Sequence, residues 1–299
     1  MIESITLQNM KTLSKIKMDK VTTQDYVLDY VDFGVLEGTH HAYKYVNEIG
    51  TYVSSTTLET RNVTIEGWII ATSEIEMTKR KAVLNRFINP LQVLSVFYDN
   101  YVIQMKPNHT INYTNTDDKE NNEVICKFKI EGYASDPVFK TIADIYKNIA
   151  STQSNFHFPL TIPEGSTNTV VFGIKKPNLI VNVVNDGSID TGMTIVFKAN
   201  SAVVNPSLTN IMTQETIKIS KTLAEDETVT INTNVGERKV IGKLNGIESN
   251  YFKYKDIDSD WVQLIVGDNL LSYSADGNVD GLDVYITYSN KYLEVQECY

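Results

Sequence analysis

Apolar and polar residues alternate with a period of two along most of the chain, the signature of strands with one face in a core. In Arg61–Ala71, Val63, Ile65, Gly67 and Ile69 share one face, while Asn62, Thr64, Glu66 and Trp68 take the other. In Glu123–Gly132, Val124, Cys126, Phe128 and Ile130 oppose Glu123, Lys127, Lys129 and Glu131. Cys126 therefore reads as a small core side chain, since a free thiol packs like a hydrophobe. Two segments follow helical spacing instead. Ser73-Glu-Ile-Glu76 has the form of a capping box, Met77, Leu84, Phe87 and Ile88 recur behind it, and Asn89-Pro90 stops the run. A second helix is predicted after Asp136-Pro137, with Asp136 as cap, Pro137 in the first turn, and Phe139, Ile142, Ile145, Tyr146 and Ile149 on one face.

Beyond the polar spacer Ser151–Asn155, short strands are separated by the turn signals Asn185-Asp-Gly187, Asn234-Val-Gly236, Gly267-Asp-Asn269 and Asp276-Gly277. This half reads as a two-sheet sandwich. The pattern thus predicts a mainly β protein with a β-rich domain over 1–138, a helix and linker over 139–154, and a β-sandwich over 155–299. Asn115–Asn122 is expected at a hairpin tip. Gly34–Thr57 alternates poorly and lacks core spacing, as an arm packing on a neighbour would.

Charge narrows the function classes. The 299 residues carry 27 basic and 37 acidic side chains, a net charge of −10. Electrostatic capture of nucleic acid or of an anionic membrane needs a basic face, so neither is expected. The acidity is spread out: residues 1–138 hold 14 basic and 18 acidic side chains, a net −4. No secretory signal is legible at Met1–Met10, and no apolar run approaches the ~18 residues of a membrane-spanning helix. Synthesis in a cytoplasm is the expectation, and with it no stable disulfide between Cys126 and Cys298.

Candidate chemistry is sparse. His40 and His41 are neighbours on a strand and point to opposite faces, so they do not share a metal. His109 and His157 have no Cys or carboxylate at ligand spacing. Asp256-Ile-Asp258-Ser-Asp260 and Asp276-Gly-Asn278-Val-Asp280-Gly281 begin like calcium loops, but Trp261 replaces the glycine of the first. In the second, Thr287 stands where the closing Glu belongs, so an acidic hairpin turn is the simpler reading. Neither a nucleophile elbow, nor a phosphate-binding glycine loop, nor a Cys beside a His base is present. Glu225 and Glu227 read as surface carboxylates rather than a glycosidase pair. Trp68 and Trp261 read as sheet packing. No enzyme, cofactor or metal site is expected.

The ordered set of segments resembles the distal tail protein (Dit) family of siphovirus-type, long-tailed bacteriophages. Glu59-Thr-Arg61-Asn-Val-Thr-Ile-Glu-Gly67-Trp-Ile-Ile-Ala71 is similar to the family's arginine–strand–glycine segment. The helix Ile75–Ile88 follows at the expected distance, and Asp136-Pro137-Val138-Phe139 is similar to its domain junction. In the C-terminal half, Phe158-Pro159-Leu160, Phe172-Gly173, the Asn185 turn, Gly267-Asp-Asn269 and Tyr292-Leu-Glu-Val295 continue the likeness. The resemblance implies an N-terminal ring-forming domain with one helix and a hairpin arm, and a C-terminal galectin-like β-sandwich. It implies a homo-hexameric hub at the distal tail tip of the virion, assembled in the host cytoplasm. The tail-tube protein would sit above the ring and a tail-associated lysin or fibre/receptor-binding protein below it. DNA would pass without specific binding. Arg61, Glu66 and Trp68 are expected at the ring interface, and Asp136, Pro137 and Phe139 at the domain junction. The alternative is a module of the tail tip that binds host-wall saccharide; no stretch is long enough for an inserted carbohydrate-binding module.

Overall fold

Strand β6 (Arg61–Ile70) carries the alternation into three dimensions. Its odd residues from Arg61 to Ile69 are buried and its even ones exposed or half-exposed. The computed structural model describes residues 2–21, 25–46, 49–113, 124–149, 152–154, 173–175 and 180–295. The expected hairpin tip Asn115–Asn122, His157, Phe158–Leu160, Phe172 and Cys298 lie outside them, as do Ser151 and Asn155 of the expected spacer.

The chain divides into two compact units, Met1–Ile142 with the chain again from Tyr292, and Ala143–Lys291. In the first unit, β1 (Ser4–Asn9), β2 (Lys15–Asp19) and β3 (Tyr26–Asp32) precede a separate hairpin of β4 (Gly38–Tyr43) and β5 (Tyr52–Leu58). After β6 come helix α1 (Glu74–Phe87), β7 (Leu94–Tyr98), β8 (Tyr101–Pro107), β9 (Asn112–Tyr113), β10 (Ile125–Ala134) and β11 (Phe139–Thr141). The second unit starts with β12 (Ile145–Asn148), β13 (Thr152–Ser154), β14 (Gly173–Lys175), β15 (Val181–Asn185) and β16 (Thr194–Ala199). It continues through β17 (Val203–Asn210), β18 (Glu215–Lys218), β19 (Thr222–Leu223) and β20 (Thr228–Asn232). Last come β21 (Lys239–Leu244), β22 (Ile247–Asn250), β23 (Gly267–Gly277) and β24 (Leu282–Tyr288), before β25 (Lys291–Tyr292) joins the sheet of the first unit.

A ten-stranded sheet organises the first unit in the order β25-β11-β8-β7-β1-β2-β3-β6-β10-β9, and β8 also pairs with β10. That extra pairing, Gly132 opposite Pro107 and Tyr133 opposite Lys106, closes seven strands into a barrel. Closure removes the free edges that an open sheet would expose. Ile5, Leu7, Met18, Ile65, Ile69, Leu84, Phe128 and Ile130 fill the core. Gly67 sits where two backbones converge: a Cβ there would lie 2.6 Å from the Phe128 ring and 2.7 Å from the Val27 carbonyl oxygen. We expect Gly67→Val to cost about 1–3 kcal/mol by overpacking, read as a lower urea midpoint.

Helix α1 forms where its signals stand. The Ser73 hydroxyl accepts from the Glu76 amide at 3.3 Å. The reciprocal arm of the box reaches one residue further back than expected, to the Thr72 amide at 2.7 Å. Those bonds to Thr72, with Arg80 nearby, hold the Glu76 carboxyl below the usual carboxylate range. Met77, Leu84, Phe87 and Ile88 are buried as the spacing requires.

The second predicted helix does not form. Residues 139–154 are no helix-plus-linker: Phe139–Thr141 pairs with β8, and Ile145–Asn148 pairs with β24. Asp136 therefore caps nothing and instead meets Lys140 at 2.8 Å. The β-branched and aromatic side chains in this stretch suit strands, and two open sheet edges offer them partners. The segment from Tyr292, assigned by sequence to the C-terminal domain, groups with the first unit, where Tyr292 meets Tyr101 edge-on at 5.2 Å.

In the second unit, a six-stranded sheet (β12-β24-β16-β20-β21-β22) and a five-stranded one (β15-β23-β17-β18, with β19 on β17) share one core. Ile195, Phe197, Ile231 and Ile286 come from the first sheet, and Val183, Leu208, Leu271 and Tyr273 from the second. This is the predicted two-sheet sandwich, and the fold as a whole is mainly β with one α-helix among the described residues.

Candidate functional site

The most exposed ordered element of the first unit is the hairpin β4–β5. Every residue of both strands is exposed, and the pair forms a sheet of its own. Register runs from Gly38 opposite Leu58 to Tyr43 opposite Tyr52, with a bulge after His41 that bends the ribbon. His40 bonds Thr56 at 2.9 Å and His41 bonds Thr57 at 3.3 Å, so both imidazoles serve cross-strand contacts. Near the tip, Tyr43 meets Tyr45 edge-on and Tyr52 at a tilt, each at 5.1 Å. The Tyr45 hydroxyl donates to that of Tyr43 at 3.1 Å. Tyr45, Val46, Ile49, Tyr52 and Val53 present apolar surface to solvent, Val46 being 88% exposed. A two-stranded ribbon without a core is marginal in water, and an exposed apolar patch of this kind marks an interaction surface.

The three expected ring residues separate on strand β6. Glu66 and Trp68 stand half-buried on its outer face. Lys127 bridges Glu66 at 3.1 Å and Asp29 at 2.9 Å, and its ammonium lies 5.4 Å from the Trp68 ring centre. Lys129 continues the ladder to Glu131 at 2.7 Å, which His109 meets at 3.0 Å. The hydrogen bond to Asp29 raises the Lys127 pKa; His109 is raised first by the Thr110 carbonyl and then by Glu131.

Arg61 turns the other way and is fully buried. Its guanidinium donates to the Gly34 carbonyl at 3.3 Å, to the Leu293 carbonyl, and to both Glu294 carboxylate oxygens at 3.1 and 3.3 Å. It also lies over the Phe139 ring, 5.0 Å from its centre, and Phe33 meets the same ring edge-on. Gly34 has φ +66°, and a Cβ there would strike the Asn62 carbonyl oxygen at 2.5 Å, so only glycine presents its carbonyl this way. Arg61 thus ties the root of the hairpin to the segment after Tyr292, and any part it has in an interface is indirect. Phe139 belongs to this buried cluster, Pro137 is half-buried, and Asp136 is exposed.

The remaining candidates are occupied structurally. Cys126 is buried and free. Burial pushes the Glu227 carboxyl up, but Lys221 at 2.7 and 2.8 Å and the Ala224 amide at 2.8 Å outweigh it and hold it below the usual range. Asp276 accepts from Lys218 and Asn205, each at 2.9 Å, and Asn278 adopts the left-handed conformation of a tight turn. Asp256 accepts from the Ser220 hydroxyl at 2.6 Å. Among the described residues no group of three or more His, Cys, Asp or Glu side chains is placed to hold a metal ion.

A closed β-barrel with an exposed hairpin and a two-sheet sandwich make up the described residues, and solved structures share this fold. Over 97% of this chain and 99% of the other, the fold matches the SPP1 Dit (gp 19.1) protein, with a TM-score of 0.67 and 12% identity. That protein is described as a paradigm of the hub adsorption apparatus in phages infecting Gram-positive hosts. A chain of the phage p2 baseplate, in its activated conformation with Sr, matches with a TM-score of 0.51 and 12% identity over 99% of this chain and 100% of that one. No curated protein matches by sequence. Residues 186–292 match the family model of the siphovirus-type tail component, C-terminal domain.

Proposed function

We propose that the protein is a non-enzymatic structural hub of a phage tail tip. Six copies close into a ring that continues the tail-tube channel. The tail-tube protein docks on one side of the ring, and a tail-associated lysin or fibre/receptor-binding protein on the other. The observation that carries this reading is the fold match to a hub protein along nearly the whole chain. The hairpin supports it: a ribbon exposed along its whole length, with a Tyr-rich tip, suits insertion between subunits in a heterologous, ring-closing contact. Glu66 and Trp68, on the outer face of β6, lie on the surface we assign to the neighbouring copy.

The acidic balance has a use in such a ring. DNA must pass without sticking, and a negative lining repels its phosphates. Residues 1–138 carry a net −4, which motivates the assignment of an acidic lumen. Negative-stain microscopy of the purified full-length chain, with mass measured by light scattering, tests the ring, and a side-chain-resolution cryo-electron microscopy structure of the assembled ring tests the lining. A six-fold ring with an acidic lumen is expected. A stable monomer across the micromolar range sinks the hub, and a basic lumen sinks the lining.

A further inference from the structure

The −10 net charge conceals a local reversal. Residues 238–255 carry five cations, Arg238, Lys239, Lys243, Lys253 and Lys255, against the single carboxylate of Glu248. This stretch spans β21, β22 and the short turn of 3₁₀ helix Phe252–Tyr254, and two of its cations, Arg238 and Lys239, line a groove of about 420 Å³ with Glu248, Asn250 and Phe252. Val240 and Gly242 face the sandwich core, so Lys239 and Ile241 stand on the outer face, with Asn250 directly opposite Ile241.

We propose that this groove binds an anionic saccharide, a sugar ring bearing a phosphate or carboxylate group. The proposal does not depend on ring assembly. Arg238 lies over the Trp261 ring with its guanidinium carbon 5.4 Å from the centre. That contact fixes its orientation while leaving its donors open, since among the described residues Arg238 has neither a side-chain hydrogen bond nor an ion pair. Lys239 adds a second cation beside it. The Asn250 side-chain oxygen accepts from the Phe252 amide at 2.8 Å, which leaves its NH₂ to donate outward. These donors recognise an oxyanion.

The rest of the groove selects a sugar rather than an acidic peptide or a nucleic acid. Phe252 is 51% exposed and offers a ring face for stacking, whereas Trp261 is covered by Arg238 and by Lys255, also at 5.4 Å. Glu248, whose charge Lys243 partly offsets at 3.9 Å, can accept from sugar hydroxyls. The volume suits a small ligand.

Isothermal titration calorimetry on the full chain tests this with four probes: a hexose 1-phosphate, a hexuronate, the neutral hexose and inorganic phosphate. Either or both charged sugars are expected to bind, and which of them does distinguishes phosphate from carboxylate as the recognised group. Neutral hexose and phosphate alone should bind at least about tenfold more weakly, the equivalent of one charge-assisted hydrogen bond. Lys239→Ala, a change on the exposed face that does not touch the core, should weaken the charged sugar by a similar factor. Phe252→Ala should weaken the sugar but not inorganic phosphate. Absence of heat with both charged sugars overturns the proposal. So does equal binding of inorganic phosphate and hexose phosphate, which marks an adventitious anion contact, or binding of a poly-glutamate peptide in preference to either sugar.

Discussion

Arg61→Ala will destabilise the first unit by about 1.5–3 kcal/mol, the range for hydrogen bonds to a charged group, since its ion-pair partner Glu294 is 66% exposed. The guanidinium serves three acceptors on two separate pieces of chain, the Gly34 carbonyl on one and the Leu293 carbonyl and Glu294 carboxylate on the other. Its loss takes the donor from the half-buried Gly34 and Leu293 carbonyls, leaves a cavity under Phe139 and unties the segment after Tyr292. Arg61→Lys should recover little, because a single ammonium cannot span acceptors that a planar fork reaches together. Each unit holds one of the two tryptophans, so urea unfolding followed by Trp68 fluorescence in a Trp261→Phe background isolates the first unit. An unchanged midpoint would show that the clamp is dispensable.

Excision of Gly38–Leu58 should have a different signature: no loss of stability, complete loss of the ring. The Glu59 amide already donates to the Glu37 carbonyl at 2.9 Å, so a two-residue Asn-Gly turn can bridge the gap without disturbing the barrel. No residue of either hairpin strand contributes to the core, so the urea midpoint of the first unit should stay within about 0.5 kcal/mol of the parent. Light scattering should then report a monomer where the intact chain gives a ring. Persistent rings would remove the hairpin from the interface and leave the outer face of β6 as the candidate.

The pattern of residues made some of this visible and hid the rest for physical reasons. Strand β6 and helix α1 were legible because local alternation and a local cap agree with the tertiary burial. The hairpin was legible through what it lacks, since Gly34–Thr57 has no core spacing. The helix expected after Asp136-Pro137 failed because Phe139, Ile142, Tyr146 and Ile149 satisfy helical spacing over so short a run, while sheet edges compete for the same residues. The Arg61 clamp was invisible: its partner Glu294 is 233 positions away, and nothing local distinguishes a buried arginine from an exposed one. The basic groove escaped because charge was summed over halves, and five cations vanish in a net of −10.

The first unit is assembled from both flanks of the second, with residues up to 142 on one side and the chain from Tyr292 on the other. A ribosome works in one direction, and domains fold as they emerge. The seven barrel strands are complete by Ala134, but Arg61 lacks Leu293 and Glu294 until all of 143–291 has been made. A chain interrupted anywhere before Glu294 lacks the lock, however well its sandwich has folded. The clamp thereby acts as a completeness check at the moment of translation. It reserves the fully locked barrel, the part we assign to the ring, for subunits whose synthesis has run to the end of the clamp.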